Sequence, residues 1–361
     1  MQVYGNPSSV HRDGRLARRL VEDAREMVAS LIGATPGQVV FTSGGTEANA
    51  LALHGSGRRR VLVSSVEHAS VLSAVNDLET LPVDGDGVVR LDTLEKWLAE
   101  DAEPALISVM LANNETGVLQ PVADIAATGR RYGALVHCDA VQAPGRVAVD
   151  MRAMGVHMLT LSAHKLGGPS GVGALVVDAD VSLAAMMRGG GQERGRRAGS
   201  ENVIGIAGFG AAAAATPGVA DAGRLEGLRN RVERGVRSVC PGARVLGWGA
   251  ARLPNTSCLT MPGVASETQV MAFDLAGVSV GAGAACSSGK VGRSHVLAAM
   301  GVGEDIAQSA IRVSLGWTTT EADVDRFLEA WTGIYARAGG FGQVSREVTA
   351  AAPNRERVSE R

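Results

Sequence analysis

Gly133-Ala134-Leu135-Val136-His137-Cys138-Asp139-Ala140-Val141-Gln142, and the run 156–161 leading into Ser162-Ala163-His164-Lys165, decide how this chain folds. Each is an apolar, strand-like run that ends on residues with chemistry, an acid at Asp139 and an amine at Lys165. In open α/β sheets ligands sit beyond the carboxyl ends of the strands, so the two runs aim both groups at one place. Outward from them, strand-like runs at 39–41, 61–64, 105–110 and 173–177 alternate with helical patterns at 45–53, 71–78, 91–99 and 122–131. This alternation predicts an α/β fold with a mostly parallel central sheet covered by helices on both faces. Residues 14–31 repeat apolar positions at helical spacing, with Arg and Glu opposite, and predict an opening helix.

The character changes near residue 218. Segment 222–239 reads as a long charged helix, 270–275 leads into a Gly-rich loop, and the helical patterns 294–300 and 321–336 flank a short strand at 311–315. The expected organisation is a large domain over 1–218, opening helix included, and a smaller α+β domain over 219–338. The tail 339–361 mixes Gly, Ala and charge without periodicity and reads as disordered.

Bulk properties narrow the function classes. The 361 residues carry a formal net charge of −2, which gives no electrostatic reason to expect nucleic acid or a membrane surface as a partner. Aromatics make up only 3%, so Ala, Val, Leu and Ile must build the core. Met1-Gln2-Val3-Tyr4-Gly5 has no basic-then-apolar signal pattern. The stretch 203–215 falls short of the roughly 20 apolar residues of a membrane helix and reads as a buried one. Cys138, Cys240, Cys258 and Cys286 show neither a CxxC pair nor metal-ligand spacing, and read as reduced thiols of a cytoplasmic protein.

Several motifs hold candidate site residues. Phe41-Thr42-Ser43-Gly44-Gly45-Thr46-Glu47 runs from strand to helix, and a helix N-terminus with small residues suits a phosphate, with the Thr46 hydroxyl as a further donor. His68 follows the strand at 61–65, where an imidazole can stack on a planar ring or move protons. Asn114, in Asn113-Asn114-Glu115-Thr116-Gly117, can bond a ring hydroxyl or a carboxylate. The basic loop 189–200 ends in Ser200, and Arg312 sits alone in an apolar strand, where it needs a carboxylate. Cys286 lies in Gly281-Ala282-Gly283-Ala284-Ala285-Cys286-Ser287-Ser288-Gly289, a setting of tiny residues that leaves a thiol accessible to act as a nucleophile. Cys138, inside a strand, reads as structural. Taken singly, most of these have an ordinary alternative: a capped turn, a helix-capping His, an Asn-Gly turn, a solvated basic loop, an internal ion pair.

Asp139 and Lys165 together answer the needs of pyridoxal phosphate (PLP), a carboxylate against the pyridinium nitrogen and an amine for a Schiff base. Gln142, three residues beyond Asp139, can reach the ring's phenolic oxygen, and Ser162 and His164 can hold the phosphate.

In the order and identity of these pieces, from Gly5-Asn6-Pro7-Ser8-Ser9-Val10-His11 to about residue 336, the chain resembles the cysteine desulfurases of the NifS/IscS type, in the class V aminotransferase group. The resemblance implies a fold-type I PLP enzyme, usually a homodimer, that converts L-cysteine to L-alanine and passes the sulfur to an acceptor protein for iron–sulfur cluster or thio-cofactor assembly. It implies that Lys165 is the Schiff-base lysine, Asp139 the partner of the pyridine nitrogen and Gln142 that of the phenolic oxygen. Asn114 lines the same site and His68 stacks on the ring. Gly45, Thr46, Ser162 and His164 match the phosphate cup, and Ser200, where many relatives have Thr, matches a donor from the other subunit. Arg312 matches the arginine that grips the substrate carboxylate, and Cys286 the persulfide-forming cysteine.

Two departures keep alternatives open. Relatives usually begin with a strand and an Ala-Thr-Thr-like turn about two dozen residues upstream of the Gly-Asn-Pro-Ser-Ser motif, whereas four residues precede Gly5 here. Trp317 stands where many relatives have Arg. The alternatives are a selenocysteine lyase or another class V enzyme, and an N-terminally truncated, inactive PLP-binding partner subunit.

Overall fold

The computed structural model describes residues 5–216, 221–283 and 293–339. Seven strands form the central sheet: β1 (Val39–Thr42), β2 (Arg60–Ser64), β3 (Leu78–Leu81), β4 (Ala105–Ser108), β5 (Leu135–Asp139), β6 (Met158–Ser162) and β7 (Gly173–Val177), in the order β1-β7-β6-β5-β4-β2-β3. All pairs from β6 to β3 are parallel, and β7 runs antiparallel to both its neighbours. This is the expected mostly parallel sheet. Its inner strands are mostly apolar and buried because both faces are covered. On one face Val39, Phe41, Leu62, Ile107, Val136 and Leu159 pack with Val21, Val28 and Phe209 of two helices. On the other, Val40, Val61, Val63, Leu106 and Met158 pack with Leu51 and Ala52.

The helices Arg12–Leu31 and Val203–Ala215 lie against each other. They approach so closely that a Cβ on Gly210 would stand 2.6 Å from the Ala24 Cα. That close approach requires glycine at position 210.

One expected element differs. The pattern at 71–78 is not one helix: a single short helix, Ala69–Leu72, is followed by the strand β3, which pairs with β2. Asn76-Asp77 interrupts the pattern, and Leu78–Leu81 finds more burial beside β2 than a helix would give it. The ladder of β4 also stops at Ser108, two residues before the expected end.

The second sheet has the order β10-β11-β9-β8, from β8 (Val245–Leu246), β9 (Thr256–Thr260), β10 (Gly281–Ala282) and β11 (Ala310–Ser314), all antiparallel. Its own core gathers residues of the helices Ala222–Val239, Ser266–Leu275 and Glu321–Arg337. Within it Phe273 and Phe327 stack with centroids 5.0 Å apart. The strands β8 and β9 escaped the sequence reading, because Thr256-Ser257-Cys258-Leu259-Thr260 is half polar and carries no apolar alternation.

Candidate active site

Strands β5 and β6 are neighbours in parallel register, with Asp139 opposite Thr160. Their carboxyl ends therefore release Asp139 and Ser162 side by side. Past Ser162 the chain makes one 3-10 turn, Ala163–Leu166, which Gly167 closes at φ 81°. A left-handed residue at that point costs glycine nothing, and the tight turn swings Lys165 back over the sheet edge. The cavity there, about 350 Å³, is lined by Gly45, Thr46, His68, Asn114, Asp139, Gln142, Ser162, His164, Lys165 and Arg312. Ten of the twelve residues singled out from sequence thus meet in one place.

The other two do not. Ser200 lines a separate hollow with Ser43, Glu193 and Arg197, so within one chain it stays apart from the cavity. Cys286 lies outside the described residues. The three described cysteines, Cys138, Cys240 and Cys258, are buried free thiols. Burial pushes all three up, Cys258 to about 12, which leaves them protonated and inert as nucleophiles.

Asp139 is 7% exposed and accepts from two neutral donors, Asn49 Nδ2 at 2.8 Å and the Val141 backbone N–H at 3.0 Å. Burial raises its pKa, while the Asn49 hydrogen bond opposes the shift. A cationic N–H brought against Asp139 would restore the ionised form. Asn49 also donates to Ser70 Oγ at 2.9 Å, and Ser70 Oγ lies 2.8 Å from His68 Nδ1. His68 caps the helix Ala69–Leu72 and accepts at the same Nδ1 from the Ser70 backbone N–H, 3.1 Å away. Burial lowers the His68 pKa, with Asp139 opposing and Lys165 adding to the shift.

At the opposite end, Ser162 Oγ and His164 Nδ1 are 2.9 Å apart, beside Gly45 and Thr46 at the start of the helix Gly45–Gly55. That helix offers unpaired backbone N–H groups and a positive dipole end to an anion. Glu47 ties it to the basic loop through Arg197, with Nε at 2.8 Å from Oε1, and accepts from the Ser43 N–H at 2.8 Å.

Arg312 reaches in from β11 of the second sheet and donates from Nη1 to the Asn114 carbonyl at 3.0 Å. The loop it touches is ordered by Asn113, whose Oδ1 accepts from the N–H groups of Glu115 and Thr116, both at 2.9 Å. Buried Glu115 accepts from the Ser294 hydroxyl, and His295 donates from Nε2 to the Glu67 carbonyl at 2.8 Å. Beneath the site Glu67, fully buried, accepts from the Met110 N–H at 2.6 Å. Its pKa is raised well above the ordinary value, first by burial and then by Asp139. Arg146 braces the Lys165 turn, donating to the Lys165 carbonyl at 3.3 Å and to the Gln142 carbonyl.

Sequence reading missed Asn49, Ser70, Glu67, Glu115 and Arg146. The signal for Asn49 was present: a polar residue one turn into a helix that otherwise reads Ala-Leu-Ala-Leu.

These residues fit PLP. A buried carboxylate held by neutral donors, an amine on a constrained turn and a glycine-led helix N-terminus share one cavity, whose volume lies in the range of roughly 300–1,000 Å³ usual for small-molecule sites. Asp139 would face the ring nitrogen, Lys165 the aldehyde carbon, and Gly45, Thr46, Ser162 and His164 the phosphate.

The chain matches the aminotransferase class-V family over residues 1–327. It is 46% identical over 342 residues to a cysteine desulfurase of Cereibacter sphaeroides, covering 91% of this chain and 88% of that protein. It is 39% identical over 357 residues to an IscS-like cysteine desulfurase of Mycobacterium tuberculosis, covering 93% and 91%. Its fold superimposes on the X-ray structure of a NifS-like protein from Rickettsia africae with a TM-score of 0.85, at 36% identity and 93% coverage of both chains. The chain belongs to the cysteine desulfurases of the class-V aminotransferase family, and its fold is that of the fold-type I PLP enzymes.

Proposed function

We infer that this chain is a PLP-dependent cysteine desulfurase, and that the residues converging on the cavity divide the work as follows. The observation that supports this most directly is that Asp139 and Lys165, delivered by adjacent parallel strands, share the cavity with Arg312, which arrives from the second sheet. When bound, PLP supplies an electron sink for reactions at the amino acid's Cα and Cβ. Asp139 keeps the ring nitrogen protonated, Gln142 bonds the phenolic oxygen, and His68 stacks on the ring. Gly45, Thr46, Ser162 and His164 hold the phosphate, joined by Ser200 of a second subunit.

Arg312 grips the carboxylate of L-cysteine beside Asn114, which sets the substrate's orientation. Lys165, whose amine lines the same cavity, serves as the base that takes the Cα proton. Cys286 then forms an S–S bond to the substrate sulfur while the C–S bond breaks with its electron pair staying on carbon. The carbon that loses sulfur takes up a proton, Lys165 returns one to Cα, and alanine leaves while a persulfide remains on Cys286. We further propose that the active form is a cytoplasmic homodimer that hands the sulfur to an acceptor protein for iron–sulfur or thio-cofactor assembly. No helix among the described residues is long and apolar enough to cross a membrane. The 219–338 segment is proposed as the small domain, with its boundary near residue 218.

The test is alanine release from L-cysteine by the PLP-loaded enzyme in the presence of a reductant. Cys286→Ala should keep the cofactor's absorption band and lose sulfur transfer, and Lys165→Ala should change the band and lose turnover. Full desulfuration by Cys286→Ala would overturn the persulfide assignment, and a strong preference for selenocysteine would redirect the substrate.

A further inference from the structure

Among the described residues, the side chains linking Asp139 to His68 form a continuous path: Asp139 Oδ2 to Asn49 Nδ2 at 2.8 Å, Asn49 Nδ2 to Ser70 Oγ at 2.9 Å, Ser70 Oγ to His68 Nδ1 at 2.8 Å. The directions of these bonds are fixed by chemistry. Only Nδ2 of Asn49 carries hydrogens, and the reversed amide would set Oδ1 against the Asp139 carboxylate. Asn49 therefore spends both hydrogens, one on Asp139 and one on Ser70, and leaves its Oδ1 buried without a hydrogen-bond partner among the described residues. With its oxygen accepting from Asn49, the Ser70 hydroxyl is free to donate onward to His68 Nδ1. The Ser70 backbone N–H, which can only donate, points at the same nitrogen from 3.1 Å. Two donors on Nδ1 leave it no room for a proton, and in a neutral imidazole the single hydrogen then sits on Nε2.

We propose that Asn49 and Ser70 are positioning residues that hold His68 as the neutral Nε2–H tautomer, so that it meets the reacting groups as a hydrogen-bond donor and not as a proton acceptor. Forming imidazolium requires a proton at Nδ1, and this would reverse the Ser70 hydroxyl and face the Ser70 N–H head-on. The charged and titratable groups that act on the ring agree in part. Lys165 and His295 disfavour the cation, Asp139 favours it, and burial outweighs Asp139. The cofactor-handling proton steps then fall to Lys165. This inference rests on the proposed PLP site, but its deciding readout is the protonation of the His68 ring, which is recorded without turnover.

The experiment is long-range ¹H–¹⁵N spectroscopy of protein with ¹⁵N-labelled histidine, recorded on the PLP-loaded enzyme and after removal of PLP. His68 is assigned by its loss in His68→Gln. The expected pattern is the Nε2–H tautomer with a titration midpoint below that of an ordinary histidine. Ser70→Ala removes one donor from Nδ1 and should raise the midpoint by about half a pH unit, the size expected for one net hydrogen bond to the neutral form. Ser70→Thr, which keeps the hydroxyl, should restore it. Asn49→Ala should raise the midpoint in the same direction if Ser70→Ala does not fold. In the PLP-loaded enzyme Ser70→Ala should lower kcat several-fold with KM unchanged. A proton found on Nδ1, or one midpoint shared by wild type and both alanine variants, would overturn the proposal. Loss of desulfurase activity with the tautomer intact would instead count against the functional reading.

Discussion

The Ser294 hydroxyl donates to Glu115 Oε2 at 2.6 Å, in the buried interior, and so joins the Asn113–Gly117 loop to the segment that follows residues 284–292. The bond links the cavity wall that carries Asn114 to the downstream flank of the segment that holds Cys286. Burial raises the Glu115 pKa and Ser294 opposes it, followed by His295 and Arg312.

Replacing Glu115 separates the acceptor from the charge. Glu115→Gln keeps an acceptor for Ser294 and should hold stability to within about 1 kcal/mol. Glu115→Ala leaves the Ser294 hydroxyl unpaired and should cost about 1–3 kcal/mol. Urea unfolding of both variants gives the comparison, and equal losses would mean that the hydrogen bond carries no weight.

Glu67 predicts a pH dependence. The folded protein holds its proton well above 4.5, whereas the unfolded chain gives it up near that value. The contribution of this proton is therefore full below 4.5 and is lost as pH rises toward the raised folded value. Glu67→Gln, an uncharged isostere whose oxygen can still accept from the Met110 N–H, should abolish that decline. Melting temperature against pH should fall less steeply for the variant between pH 5 and the onset of alkaline unfolding; parallel curves would refute the assignment.

Arg25 and Glu193 form a buried, two-pronged ion pair, with Nη1–Oε2 at 2.7 Å and Nη2–Oε1 at 2.9 Å, and Glu193 Oε2 also accepts from the Phe41 N–H. Glu193 and Arg194 have φ of 47° and 58°, an uncomfortable backbone for side-chain-bearing residues that this pair holds in place. Arg25→Ala should cost about 3–5 kcal/mol because it strands a buried carboxylate. If the loop carries Ser200 to the cofactor phosphate, the variant should also retain PLP more weakly through gel filtration.

Trp317 lies over the Lys165 turn: a Cβ on Gly167 would come within 2.6 Å of the indole Cη2, at a residue whose φ is 81°. Gly167→Ala should therefore suffer twice, about 1–2 kcal/mol from the left-handed backbone and a further amount from the collision. Adding Trp317→Ala should recover the second part alone. A double-mutant cycle by thermal denaturation isolates it, and strict additivity would show that the indole swings away at no cost. Trp317 is thus given a neighbour, where the sequence showed only an unexpected residue.

What could be read in advance followed from how directly each residue is tied to its own segment. Asp139, Lys165 and Ser162 end apolar runs, so their shared location follows from parallel strand pairing. Gly45 and Thr46 open a helix, and Arg312 was marked by its cost in an apolar strand. Asn49 and Glu115 gain their meaning from Asp139 and Ser294, 90 and 179 residues away, and no local pattern encodes such pairings. The strand β3 was concealed for the same reason, since its four residues become a strand only because β2 offers an open flank. Ser200 marks the reach of a single chain: its own fold places it outside the cavity that the motif order assigns to it.

The edge position of β1 has a consequence in time. Val39 pairs with Val176, 137 residues later, and β1 has no other partner in the sheet. At about 5–20 residues per second of synthesis, the Val-Val-Phe-Thr strand leaves the ribosome roughly 7–27 s before its mate exists. Through that interval it is an unpaired apolar edge of the kind that recruits neighbouring chains. Slower translation lengthens the exposure, and with it the demand on holding chaperones.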